Sequence, residues 1–385
     1  MSSPTTPLVE AGTQAVFDMD SLALSVEAAP PPVAEPGGLI ARVTLAGVCG
    51  SDVHRIAGHV HDAAGPVSFG HEAVGVVEAL GDGLTADWGG VPVAVGDRII
   101  WYAGSTPCGQ CRGCRTTGEA CDDRQWPLPA SVPNAAGYRD VASLSRLVPF
   151  FRVDGPVTDE ELVAFGCALP TAISGQRRLG LIEAGQTVVV QGAGPVGIAA
   201  AMVASLSPAR HVIVIGAPAH RLELAREFGA TVAIDLGATS AEERLARVHE
   251  LTDGRGADVV IEAAGVADAF PEGVSLLARH GRYLLSGLYS GTREVAFNPV
   301  PITLKSARII GNLGSRPEVG LQALRFVQAN RDRFPFARVV THRYDLADVA
   351  GALAAMRDGT AVKAVVTPGT APEPAPSTLL REESE

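Results

Sequence analysis

The sequence predicts an α/β protein of two domains, one β-rich and one a doubly wound parallel sheet with helices on both faces. Three observations carry this. The chain has 385 residues, too many for one ordinary domain and suitable for two, and with 46% hydrophobic and 19% charged residues both can bury a core. Its first third consists of short β-branched runs cut by Gly and Pro. From about residue 186 onward, apolar strands and helical patterns alternate, the signature of a parallel sheet covered on both sides.

In the first third, GLIARVTLAGV (38–48), AVGVVEAL (73–80) and VPVAVGDRII (91–100) read as strands joined by turns. In the second part, TVVVQG (187–192), VIVIG (212–216), DVVIEAAG (258–265) and RYLLSGL (282–288) read as strands. Between them, PVGIAAAMVASL (195–206), AHRLELAREFG (219–229) and AFPEGVSLLARH (269–280) carry helical patterns. Past about residue 312 the alternation stops. Two helical stretches (318–332 and 346–359) and the strand KAVVTP (363–368) are expected to return to the first domain. The expected division is therefore 1–168 with 313–370 for the β-rich domain and 169–312 for the parallel sheet. The Pro- and acid-rich end, 371–385, is expected to be a disordered tail.

Charge and composition narrow the function classes. The formal charge is −11, from 31 basic and 42 acidic residues, whereas a nucleic-acid binder shows a basic face. No basic stretch leads into an apolar run at the start, and every apolar run is shorter than a membrane span. A cytoplasmic enzyme with neither nucleic-acid nor membrane partners is the expectation. In that setting six cysteines point to metal or catalysis rather than to three disulfides.

Gly192-Ala193-Gly194-Pro195-Val196-Gly197 forms a G-x-G-x-x-G between a strand and a helix. Such glycines permit a tight turn, close approach of backbone to a pyrophosphate and close packing of helix on strand, with the phosphates at the helix N-terminus. A lone match is often only a turn; here the strand–helix rhythm continues on both sides. The second strand ends at Gly216, where NAD-binding folds usually carry a carboxylate for the ribose hydroxyls. A 2′-phosphate would meet no like charge there, and His220 and Arg221 follow, so NAD and NADP both stay open.

Cys108, Cys111, Cys114 and Cys121 lie within fourteen residues, the spacing of a closed four-thiolate zinc site. The other two cysteines are Cys49, opening CGSDVH, and Cys167, in FGCALPTAISG; Gly70-His71-Glu72 follows Cys49 by twenty-one residues. Two thiolates and one imidazole would leave a fourth zinc position open for chemistry.

With CGSDVH (49–54), GHEAVGVV (70–77), the four-cysteine lobe, GCALPTAISG, VVVQGAGPVG and VVIEAAG, the chain resembles the zinc-containing medium-chain alcohol dehydrogenases over nearly its whole length. The resemblance implies a GroES-like catalytic domain interrupted by a Rossmann domain, with the active site in the cleft between them. It implies Cys49, His71 and Cys167 as catalytic zinc ligands, and Asp52 as the acid that orients His71. Glu72 would be a carboxylate near the metal, able to approach or replace a ligand. Ser51 and His54 would relay the substrate proton through the cofactor ribose to solvent. Two zinc ions per chain, NAD or NADP, a small alcohol or carbonyl substrate and a homodimer or homotetramer complete the expectation. One departure is the last interval of the cysteine lobe: six residues, one fewer than is common, with Gly118 available for a tighter turn. His59, His61, Phe69, Trp101, Tyr102 and Trp126 are candidates to line the pocket, or else packing residues. The competing readings are a zinc-free enone or quinone reductase on the same scaffold, and a non-enzymatic zinc- and dinucleotide-binding protein.

Overall fold

The computed structural model describes residues 9–10, 12–60, 63–102, 107–117, 121–123, 127–287, 293–314 and 316–369. The tail expected at 371–385 lies outside them. The chain forms two compact units: Met1–Cys167 with Arg316–Arg331 and Phe336–Glu385, and Ala168–Ser315 with Asp332–Pro335.

The first unit is organised by the strand Leu39–Gly47, whose residues are buried at almost every position. It pairs antiparallel with Ala73–Leu80, Val141–Leu144 and Lys363–Thr367. Among the described residues this sheet has seven strands, and a four-stranded sheet lies in the same unit. Trp101, Tyr138, Phe17 and Phe69 are at most 1% exposed, and Phe69 meets both Phe17 and Tyr138 edge-on. Each large side chain buried in this way contributes roughly 1.5–3 kcal/mol. The strand expected over 91–100 is strand only at Arg98–Trp101. Before it, Pro92 lacks an N–H, Gly96 is left-handed (φ 90°), and Asp97 accepts from the Ala94 N–H, so the chain turns.

The helices Pro317–Asn330 and Val349–Arg357 also belong to this unit. Four residues between them, Asp332–Pro335, cluster with the second unit instead, where Phe334 stacks on Phe228 (ring centroids 5.9 Å apart).

The second unit holds a six-stranded parallel sheet among the described residues, ordered Val232–Asp235, His211–Gly216, Thr187–Gln191, Ala257–Glu262, Leu277–Leu285, Arg308–Gly311. Thr187–Gln191 is buried throughout, as a central strand covered on both faces must be. The helical pattern expected over 269–280 ends at Leu276. Leu277 already pairs with Ala257; the register then shifts, with His280 at φ 63°, and the strand runs on to Leu285. Ladder hydrogen bonds here override the local helical spacing. Among the described residues no helix is long and apolar enough to cross a membrane.

Candidate active site and metal centres

Cys49 follows the central strand directly and caps the seven-residue helix Gly50–Ile56. Its N–H donates to Asp52 Oδ2 (3.1 Å), so one carboxylate fixes the start of the helix. Asp52 is fully buried, and the Tyr138 hydroxyl donates to the same oxygen (2.7 Å). Asp52 Oδ1 lies 3.3 Å from His71 Nδ1, which turns His71 Nε2 the other way, toward Ser51 Oγ (3.5 Å) and Glu72 Oε1 (3.8 Å). Gly70, before His71, has φ 89° and packs so tightly on Tyr138 that an added Cβ would sit 2.7 Å from its ring. Only glycine fits that position.

Cys167 Sγ lies 3.2 Å from Cys49 Sγ, too far for a disulfide and close enough for both to hold one metal ion. One donor atom from each of Cys49, His71, Glu72 and Cys167 lies within 4.8 Å of the others. Two sulfurs, an imidazole nitrogen and a carboxylate oxygen form a donor set that zinc accepts. Glu72 Oε2 accepts from Lys363 Nζ (2.5 Å), with both side chains at most 2% exposed. Its other oxygen, Oε1, is buried with no hydrogen-bond partner, which suits a group facing a cation. Glycines make room for this carboxylate: a Cβ on Gly47 would lie 2.5 Å from Oε2, and one on Gly166 would overlap it.

The donors shift one another's protonation: Cys49 is lowered, whereas its hydrogen bond to Cys167, burial and then the Cys49 charge raise the Cys167 thiol well above its ordinary range. The hydrogen bond from Cys167 holds the Cys49 thiol well below its ordinary range; burial opposes this, and the His71 and Lys363 charges assist. Burial works against a charged His71, but Asp52 outweighs it and raises the imidazole well above its usual value. Burial, then the charges of Glu72 and Cys167, push Tyr102 up.

In the lobe, Cys108, Cys111, Cys114 and Cys121 bring their sulfurs within 4.8 Å of one another. Cys111 Sγ and Cys121 Sγ are 4.0 Å apart, against about 3.8 Å between sulfurs on a tetrahedral zinc. Backbone N–H groups point at the thiols: Gln110 and Cys111 at Cys108 Sγ (3.4 and 3.3 Å), Cys114 and Asp122 at Cys111 Sγ (3.3 and 3.2 Å). The two on Cys111, that from Cys114 first, lower its thiol to about 7 against the effect of burial. Gly118, the expected turn in the shortened interval, lies outside the described residues.

In the second unit, Gly192 turns at φ 109° and Gly194 caps the helix Pro195–Ser205, with Pro195 and Val196 in its first turn. An added Cβ would meet Ala263 O at 2.7 Å on Gly192 and Gly192 O at 2.0 Å on Gly197, yet nothing within 4 Å on Gly194. The first and third glycines serve packing, and the second leaves open backbone where a pyrophosphate fits. Gly216 cannot be replaced by a carboxylate, since its Cβ would lie 2.6 Å from Ala193 Cβ. His220 is exposed, and Arg221 is partly withdrawn from water on the helix Ala219–Glu227, with its pKa lowered by burial. Fully buried Glu262 accepts from the N–H groups of Ala264 (2.8 Å), Gly265 (2.6 Å) and Gly287 (2.9 Å), which ties together the loops after two neighbouring strands.

Of the pocket candidates, Phe69 and Trp101 are core residues, and the Trp101 indole donates to Ala135 O (2.8 Å). Tyr102 is buried, and His59 is exposed beside His54. His61 and Trp126 lie outside the described residues. Lys363, Tyr138 and Glu262 were missed by sequence reasoning. A lysine opening an apolar run was the available signal for the first; nothing local marks Tyr138, and Glu262 stood unremarked in a predicted strand.

The two donor clusters and the glycine turn combine metal-type donor sets with the strand–turn–helix of a nucleotide-binding fold. Residues 35–145 match the alcohol dehydrogenase GroES-like domain family, and residues 195–329 match the zinc-binding dehydrogenase family. The chain is similar to 5-exo-hydroxycamphor dehydrogenase of Pseudomonas putida, at 40% identity over 332 residues, covering 86% of this chain and 92% of that one. It is also similar to the crystal structure of an alcohol dehydrogenase from Thermotoga maritima (28% identity, TM-score 0.85, covering 93% and 99% of the two chains). A putative zinc-binding dehydrogenase from Sinorhizobium meliloti, solved bound to NADP, superposes with TM-score 0.79 at 25% identity (92% and 99% covered). The chain belongs to the zinc-type medium-chain alcohol dehydrogenase family, with a GroES-like domain and a Rossmann sheet.

Proposed function

We propose that the protein is a zinc-dependent dehydrogenase that moves a hydride between a secondary alcohol, or its ketone, and NAD or NADP. The observation that carries this is the convergence of Cys49, His71, Glu72 and Cys167 within 4.8 Å, with Asp52 behind the imidazole. Hydroxycamphor, named for the Pseudomonas putida relative, is a secondary alcohol. The first unit would be the catalytic domain and the second the dinucleotide domain.

In this reading Cys49, His71 and Cys167 hold the catalytic zinc, and Cys108, Cys111, Cys114 and Cys121 hold a structural one. Bound there, zinc supplies a Lewis acid to the substrate oxygen and the nicotinamide supplies the hydride acceptor. Asp52 Oδ1, 3.3 Å from His71 Nδ1, favours the tautomer protonated there and leaves the Nε2 lone pair for the metal. Lys363 holds Glu72 by one oxygen and leaves the other available to the metal. Ser51 takes the substrate proton and His54 exchanges it with solvent. Gly194 and the helix start at Pro195 and Val196 receive the pyrophosphate, and Gly192 and Gly197 keep the turn and helix packed close enough for it. Gly216, without a carboxylate, admits either nucleotide, and Arg221 stands near enough in sequence to favour NADP.

A homodimer or homotetramer is part of the same reading. Arg308–Gly311 is an edge strand of the parallel sheet, and Val300 and Leu304 in the preceding helix are 53% and 65% exposed. Sedimentation at micromolar concentration tests it, and a monomer would contradict it.

The experiment for the function is turnover of 5-exo-hydroxycamphor and cyclohexanol with NAD and with NADP, before and after chelation. Oxidation that chelator stops supports the reading. Turnover of enones by zinc-free protein would instead favour the reductase alternative, and nucleotide binding without any turnover the non-enzymatic one.

A further inference from the structure

The helix that carries Ser51 and His54 ends in a turn that dictates where the next histidine lies. Ala57 closes the helix, and Gly58 takes a left-handed conformation at φ 73°. The Gly58 N–H donates to Arg55 O (3.0 Å) and the His59 N–H to His54 O (2.9 Å). These are the paired bonds of a helix-ending motif in which the residue after the glycine lays a side chain over the last turn. That contact is usually apolar. Here both positions are histidine, and their Nδ1 atoms are 3.3 Å apart with ring centroids at 5.6 Å. With one ring in each tautomer, an Nδ1–H of one faces the Nδ1 lone pair of the other, at backbone positions that the turn sets.

We propose that His59 is the outlet of the proton path that begins at Ser51, and that His54 and His59 act as a two-ring conduit. The inference rests on the proposed relay through Ser51 and His54, and moves its exchange with solvent from His54 to His59. His54 gains a proton at Nε2 and gives up its Nδ1 proton to Nδ1 of His59. His59 then releases its own Nε2 proton to water or buffer. One proton enters and one leaves, nothing is oxidised or reduced, and each ring ends in its other tautomer, which exchange of the ring protons with water resets before the next turnover. The partly buried ring is thereby joined to one that is exposed, and imidazole is suited to both transfers near neutral pH.

The test uses the zinc-loaded enzyme with cyclohexanol and the nucleotide it turns over, in weak buffer, with proton release followed by an indicator dye. His59→Gln keeps the turn's backbone bonds and removes the second ring. Proton release should slow by roughly 10-fold and recover with added imidazole. A purely structural role would not respond to imidazole. Nickel binding gives a readout independent of turnover, because two Nδ1 atoms at this spacing can chelate one ion. Added to zinc-loaded protein, Ni2+ should bind the wild type at least about 10-fold more tightly than His59→Gln. Equal nickel affinity, or wild-type proton release in His59→Gln, would overturn the proposal. His54→Gln separates the two levels. If it slows proton release while His59→Gln does not, only the outlet is wrong; if it too has no effect, the relay itself fails.

Discussion

Glu72 is enclosed by two glycines and a histidine, and Lys363 is the cation that holds its charge. Removing one member of such a pair leaves an uncompensated buried charge, which costs about 3–5 kcal/mol. Lys363→Met should therefore lower stability by about that amount in denaturant unfolding, and adding Glu72→Gln should recover much of it. A Lys363→Met protein as stable as wild type would mean that the pair is not buried as described. His71 sets a pH dependence. Its raised value in the folded, zinc-free protein contributes stability that is full below the ordinary histidine pKa and drains away as pH rises through the raised one. Zinc needs the neutral imidazole and thiolates, so metal and proton compete. Zinc affinity, measured by chelator competition from pH 6 to 8, should rise at least about tenfold per unit; a flat profile would contradict this ligand set. At this scale the cysteines and His71 were legible because their spacing has few other uses. Lys363 was not, because its partner lies 291 residues away in sequence and no local pattern links them.

Short elements depend on polar ties more than on core. The cysteine lobe holds its four half-exposed thiols in a loop with little core of its own, so in the proposed reading a metal bound there would stabilise it. Cys111→Ser should lower the thermal midpoint and reduce zinc content by one ion per chain; undisturbed unfolding would contradict a structural metal there. In the parallel sheet, Glu262→Gln would turn an amide N–H toward a backbone N–H and leave a donor unpaired. The expected loss is about 1–3 kcal/mol, with weaker nucleotide binding by fluorescence titration. Four of the six described strands of this unit were legible from the alternation of apolar and helical patterns. The short strands Val232–Asp235 and Arg308–Gly311 were not, because four residues carry too little pattern. The helix Ala241–Leu251 carries its own signal in the sequence, the capping box of Ser240 and Glu243, rather than a strong apolar stripe. The end of the helix at Leu276 was not legible, because only pairing with Ala257 makes Leu277 a strand residue.

At the scale of the molecule, the two units separate the chemistry: every proposed zinc ligand lies in the first, and the dinucleotide cradle lies in the second. The two-domain plan was visible in the change of texture near residue 186 and in the return of the C-terminal helices. The excursion of Asp332–Pro335 was not, since a stacking of Phe334 on Phe228 leaves no periodic trace. The aromatics Phe69 and Trp101 could not be told from pocket residues by sequence, because a buried ring and a pocket ring have the same local pattern. The central claim is a catalytic zinc held by Cys49, His71 and Cys167. The direct measurement is zinc per chain, by elemental analysis of wild type and Cys49→Ala purified without chelator, with turnover of 5-exo-hydroxycamphor or cyclohexanol on the same samples. The account predicts about two zinc ions and turnover in the wild type, and about one zinc, a retained fold and no turnover in the variant. A wild type that turns over without zinc, or a Cys49→Ala protein with undiminished activity, would contradict it.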